Sequence, residues 1–155
     1  MLKIVPYTYL HQPVFRQLNY DWIHRYFWIE EADRRVLDDP QHYILDKGGY
    51  ILMAESEGEV VGTCALIPVG ENVFELAKMA VAESARRKGI GYALGLASIE
   101  KAREAGASKV ELLSNTKLSS AMLLYKKLGF SEVPLPETEY ERANIKMEMV
   151  LKSEV

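Results

Sequence analysis

At 155 residues the chain has the length of one ordinary domain, and a chain this long buries roughly two-thirds of its unfolded surface. Its 48% apolar and 26% charged residues, with ten glycines and six prolines, exclude disordered and collagen-like classes. A net charge of −3 removes the electrostatic basis for nucleic-acid binding, and no run approaches the roughly 18 apolar residues of a membrane span. The N-terminal stretch MLKIVPYTYL alternates apolar and polar residues and lacks a small-residue cleavage site, so it is no signal peptide and a cytoplasmic protein is expected.

Leu2–Tyr7 reads as a first strand. From His11 to Phe27, Phe15, Leu18, Trp22, Ile23, Tyr26 and Phe27 recur at three- and four-residue spacing, an amphipathic helix with Pro13 confined to its first turn. A second helical piece covers Glu31–Leu37, and Pro40 can open one further turn to Leu45. Gly48-Gly49 changes the period. Tyr50–Ser56 and Glu59–Pro68 read as strands joined by a tight turn at Glu57-Gly58, and Val73–Val81 follows after Gly70–Asn72.

Helix is expected from Gly89 to Ala105, with Ile90, Ala93, Leu94, Ala97 and Ala102 along one side and Gly106 as its cap. Lys109–Leu113 is a short apolar strand. Leu118, Met122, Tyr125 and Leu128 mark a last helix ended by Gly129, and Phe130–Leu135 and Asn144–Leu151 are the final strands. With no repeat or linker, residues 1–155 read as a single mixed α/β domain. The passage from Val73 to Leu113 implies a parallel strand pair with a right-handed crossover.

Chemistry concentrates in FELAKMAVAESARRKGIG, Phe74 to Gly91, where a strand, a turn and a helix start carry three consecutive cations. Free N–H groups at a helix N-terminus favour phosphate. Three glycine motifs compete for the segment. A P-loop is absent, since no Gly-Lys-Ser/Thr occurs at the required spacing. The dinucleotide pattern half fits, because Gly95 comes one residue late after Gly89-Ile90-Gly91 and Ala82–Lys88 separates the glycines from their strand, although Glu111 stands where a ribose-binding acid belongs. The third is Arg86-Arg87-Lys88-Gly89-Ile90-Gly91, in which glycines at 89 and 91 leave room for phosphate against backbone. A solvated cationic turn is the plain alternative.

That block, followed by LLSNTKLSSAMLLYKKLGF with Asn115 and Tyr125 to Phe130, resembles the paired signature of the GNAT superfamily of N-acetyltransferases. The likeness runs from Tyr50 to Leu151, and one departure is Leu118, where relatives often carry a second asparagine. The resemblance implies a centrally splayed sheet of about seven strands with helices on both faces. It also implies acetyl-CoA as cofactor, held by the backbone of Met79, Ala80 and Val81, by Arg86, Arg87, Lys88, Gly89, Ile90 and Gly91, and by Asn115. Tyr125 would serve as general acid at the cofactor sulfur and Glu75 as general base for a primary amine, attacking directly in a ternary complex.

Cys64 lies inside an apolar run without an activating partner, so no covalent relay is expected. His11, His24 and His42 lack ligand spacing, and no metal is expected. Trp22, Tyr26, Phe27 and Trp28 read first as core. Trp28, Glu30, Glu31, Tyr140, Arg142 and Asn144 are the acceptor-site candidates for a small-molecule or peptide amine. A non-catalytic acyl-CoA sensor is the other reading. Oligomeric state stays open, a homodimer included.

Overall fold

The computed structural model describes residues 1–151. Strand β1 (Leu2–Pro6) leads into helices α1 (Gln12–Tyr26) and α2 (Glu31–Asp38) and a short turn at Gln41–Leu45. A meander follows, β2 (Tyr50–Ser56), β3 (Glu59–Gly70) and β4 (Val73–Val81). Then come α3 (Ile90–Glu104), β5 (Lys109–Ser114), α4 (Ser119–Leu128), β6 (Ser131–Val133) and β7 (Ile145–Val150). The strands form one seven-stranded sheet in the order β1-β2-β3-β4-β5-β7-β6. Only β4 and β5 pair in parallel among the described strands.

The sheet has a core on each face. Phe15, Tyr20 and Ile23 of α1 with Leu37 of α2 pack on Ile51, Met53 and Ala65. On the other face Ile90, Leu94, Ile99 and Ala102 of α3 pack with Leu128, Val110, Leu112 and Met147. The buried face of α3 is rotated from the expected one, because Gly95, Ser98 and Ile99 lie inward and Ala93 and Ala97 only half-buried. Gly95 is there for close approach: a Cβ would meet Leu128 Cδ1 at 2.5 Å. Its place in a dinucleotide pattern is therefore a coincidence of helix–helix packing.

Two irregularities in β4 position the site. Its parallel ladder to β5 runs only through Val73↔Lys109, Phe74↔Val110 and Glu75↔Glu111, after which the strands part. Against β3, Thr63 faces Ala80 and Ala65 faces Ala77, so Cys64 alone opposes Lys78 and Met79. This is a β-bulge with Lys78 in a left-handed conformation at φ +54°. Phe74 and Leu76 before the bulge, and Met79 and Val81 after it, pack into the α3-side core. Lys78 is the extra residue, and its side chain runs to α2 instead.

Candidate active site

The parting of β4 from β5 opens a cleft of about 670 Å³. Buried backbone must find partners, and β4 beyond Glu75 has none on its β5 side, so the cleft presents an unpaired strand edge. Glu75, Met79, Ala80 and Val81 line it from β4. Arg86, Arg87, Gly89, Ile90 and Gly91 line it from the turn before α3, and Asn115 and Tyr125 from the β5–α4 side. These residues are separated by up to fifty positions in sequence and are brought to one groove. Lys88 does not line it.

The turn before α3 has the geometry of an anion nest. Arg87 sits at φ +64° and Gly89 at φ +77°, so two left-handed residues lie just ahead of the free N–H groups of α3. Such alternation turns successive N–H groups to one side as a concave nest. Arg86 is engaged elsewhere, since its guanidinium donates to the Tyr26 hydroxyl at 3.0 Å. Lys117 reaches the same helix end from the opposite wall, donating to the Tyr26 carbonyl at 3.1 Å.

Asn115 orders its own loop. Its Nδ2 donates to the Arg142 carbonyl at 2.7 Å and its Oδ1 accepts from Lys117 N at 2.9 Å. Tyr125 is half-buried between α4 and Phe130, 6.2 Å between ring centroids. Burial pushes its hydroxyl up to about 12, with Ser114 pulling the other way, so it stays protonated at neutral pH. Burial also raises the Glu75 carboxyl above its ordinary value. Lys78 opposes this, and Glu111 and Glu139 add to it.

At the α2 end of the cleft stands a charge network that sequence reading missed. Asp33 of α2 is wholly buried. It accepts two bonds from the Arg142 guanidinium, both 2.6 Å, and one from Lys78 Nζ at 3.1 Å. Glu30 accepts a third Arg142 bond at 3.1 Å and one from Glu141 N at 2.8 Å. Lys78 also donates to the Tyr140 hydroxyl at 2.9 Å. Burial alone would raise the Asp33 carboxyl, but the Arg142 hydrogen bonds and the Lys78 charge outweigh it and hold it below its usual range. Four opposite charges thus neutralise one another and clasp the β6–β7 loop to α2 and to the bulge.

Of the acceptor-site candidates, Tyr140 and Arg142 line the cleft. Glu30 stands behind them as a partner of Arg142. Trp28 and Glu31 are exposed and outside the cleft. Asn144 is also outside it, because its side chain is tied to Thr116 N and Oγ1 at 2.9 and 3.1 Å. In their place α1 contributes Asn19, Trp22 and Tyr26, and Phe27 follows at its C-cap. The aromatic cluster is thus split: Trp22 and Phe27 pack on the α1-side core while facing the cleft, and Tyr26 and Trp28 are exposed.

Glu111 is held by Lys146 at 3.2 Å, away from the cleft, so it binds no ribose there. Cys64 is fully buried, its thiol pushed up to about 12 by desolvation, which leaves it inert as a nucleophile. Among the described residues no group of three or more metal-ligating side chains occurs, and no helix is long and apolar enough to cross a membrane.

An open mixed sheet split between two parallel strands, with a left-handed turn and a helix N-terminus at the split, defines an acyl-CoA N-acyltransferase fold. The chain belongs to the acetyltransferase (GNAT) family, whose model matches residues 9–130. It is 33% identical over 114 residues to human N-acetyltransferase 8, covering 68% of this chain and 50% of that protein. The chain thus spans about half the length of that relative. A GNAT-family acetyltransferase from Staphylococcus aureus Mu50 superposes with a TM-score of 0.89 at 24% identity, over 98% of this chain and all of that one. A Bacillus subtilis acetyltransferase solved in complex with CoA gives 0.76 at 21% identity, over 98% and 100%.

Proposed function

We propose that the chain transfers the acetyl group of acetyl-CoA to a primary amine by direct attack in a ternary complex. The observation that carries this reading is the end of β4–β5 pairing at Glu75, which leaves an unpaired strand edge between a raised-pKa carboxylate and a protonated tyrosine. The groups present suit the cofactor. The unpartnered backbone of Met79, Ala80 and Val81 fits the amides of a pantetheine arm, and the Arg87–Gly91 turn fits its pyrophosphate. A protein of the same fold has been solved in complex with CoA, which supports CoA as the ligand.

Acetyl-CoA supplies an activated thioester; positioning and proton handling fall to the chain. As the amine nitrogen bonds to the carbonyl carbon it becomes positively charged, and Glu75 accepts the proton it sheds, directly or through water. Collapse breaks the C–S bond, and the electron pair leaves on sulfur. Tyr125 serves that sulfur as a hydrogen-bond donor. Its hydroxyl, near 12, lies well above an ordinary thiol at about 8.5, so it stabilises the thiolate without fully surrendering its proton.

Acetyl-CoA at about 100 times its Kd is expected to stabilise the fold by about 2.7 kcal/mol, a rise in Tm of about 5–11 °C. NAD should produce none. Consumption of the thioester in the presence of an amine panel then tests turnover. Binding without acetylation of any amine supports a sensor instead, and stabilisation by NAD alone defeats the reading.

Tyr125→Phe should lower kcat about a hundredfold and leave acetyl-CoA affinity nearly unchanged, because the hydroxyl acts on charge that develops only in the transition state. Steady-state kinetics beside a binding isotherm separates the two effects. A fully active Tyr125→Phe enzyme would place sulfur stabilisation elsewhere.

A further inference from the structure

Two buried side-chain polar atoms have no hydrogen-bond partner among the described residues, Asn19 Oδ1 and Trp22 Nε1. Both residues belong to α1 and both line the cleft. At i and i+3 they share a helix face, with about 5–6 Å between their Cβ atoms. Asn19 is wholly buried, and its Nδ2 donates to the Phe15 carbonyl at 3.0 Å, which holds the amide and leaves Oδ1 without a donor. Trp22 meets Phe27 edge-on at 6.2 Å, a ring–ring contact that gives Nε1 no oxygen to donate to. Leaving such groups unpaired costs about 1–3 kcal/mol each, so a protein that keeps two of them in its substrate cleft has them matched in another state.

The pair is complementary in kind: an acceptor from Asn19 and a donor from Trp22. Its ligand must offer an N–H and an oxygen within one helical turn of each other. A polyamine or alkylamine offers N–H groups and leaves Trp22 unpaired. A compound with a carbonyl next to its amine satisfies both. We propose that Asn19 and Trp22 recognise the acceptor, and that the amine acetylated is that of an α-aminoacyl group, whose carbonyl oxygen accepts from Trp22 Nε1 and whose N–H donates to Asn19 Oδ1. Phe27 and Ile67, also in the cleft wall, give its side chain an apolar seat. The proposal rests on the acetyl-transfer reading and narrows it. A free amino acid and a peptide N-terminus share this chemistry.

The test compares kcat/KM for leucine, leucinamide, the peptide Leu-Gly-Gly and 3-methylbutylamine, the last being leucinamide without its carboxamide. At least one carbonyl-bearing acceptor should exceed 3-methylbutylamine by roughly tenfold or more, as loss of a buried hydrogen bond implies. Preference for leucine indicates a free amino acid, and preference for leucinamide and the tripeptide indicates a peptide terminus. Trp22→Phe, which keeps an aromatic ring and removes the N–H, should bring the ratio toward one while acetyl-CoA binding by thermal shift is retained.

Equal use of 3-methylbutylamine overturns the proposal, as does an unchanged ratio in Trp22→Phe. Acetylation of none of the four while acetyl-CoA still binds overturns it too. Absence of acetyl-CoA binding sinks the acetyl-transfer reading and this proposal with it. The wild-type ratio decides the matter even if the variant does not fold.

Discussion

Gly89→Asp is expected to abolish acetyl-CoA binding while leaving a folded protein. Gly89 holds φ +77° at the N-cap of α3, with nothing within 4 Å of where a Cβ would stand. The substitution therefore meets no clash, and its folding cost is the left-handed backbone alone, about 1–2 kcal/mol or about 2–8 °C in Tm. Ligand binding suffers far more. A carboxylate placed in the nest formed by Arg87 and Gly89 fills the anion's seat and repels the pyrophosphate, so affinity should fall at least a hundredfold.

Gly89→Asn separates the two effects. Asparagine has the same shape, tolerates φ above zero, and carries no charge. Its Tm loss should be comparable to that of the aspartate variant, and its acetyl-CoA affinity should fall less, because it adds the bulk without the repulsion. Calorimetric titration of both variants gives the answer. Equal affinities would mean that the phosphate does not sit on this turn.

Asp33→Asn is expected to be the most destabilising single-atom change in the chain. It leaves Arg142 and Lys78 buried with Glu30 as the remaining carboxylate, and removing one partner of a buried ionic cluster costs about 3–5 kcal/mol. For a domain of this size that is about 6–20 °C in Tm, read by scanning calorimetry. The acid limb changes as well. The folded Asp33 carboxyl is held below the ordinary range of an aspartate, so its contribution is complete above that range and is lost as pH falls through the folded value. The asparagine variant lacks that portion of the acid-induced loss.

The same change reaches the proposed base. Lys78 pulls the Glu75 carboxyl down, and Asp33 offsets the charge of Lys78. Without Asp33 that pull strengthens, and the limb of the pH–rate profile belonging to Glu75 should move to lower pH. An unaltered melting temperature would show that the network is decorative; an unaltered limb would separate Glu75 from the chemistry.

Much of this molecule is readable in order along the chain. The strand of Val73–Val81 and the hairpin at Glu57-Gly58 have local causes, alternation in one and turn chemistry in the other, and both stand where alternation and turn residues place them. The left-handed turn at Arg87 and Gly89 is legible for the same reason, since Arg86 to Gly91 is one contiguous segment with glycine at the helix N-cap. The face of α3 is legible only to within a residue, because Gly95 is inward for the sake of Leu128, which lies on another helix.

Tyr140 and Arg142 were named from the sequence, but the network that holds them was out of reach for a physical reason. The Asp33–Arg142 pair spans 109 positions, and neither residue carries a local mark of the other. Asp33 reads as an acid in a helix's first turn, which it also is: it accepts from Glu30 N at 2.9 Å. Trp28 and Trp22 are both tryptophans near the end of one helix, and only the packing of α1 against the sheet decides which faces the cleft. The bulge at Lys78 is equally silent, because a left-handed lysine has no sequence signature.

What the sequence determined by itself was therefore the succession of elements, the family, and the glycine-rich turn before α3, all matters of residues close in the chain. Tertiary structure alone decided which side chains meet at the acceptor end. There buried charges must find opposite charges wherever the fold brings them, and two polar atoms of α1 are left without a partner among the described residues.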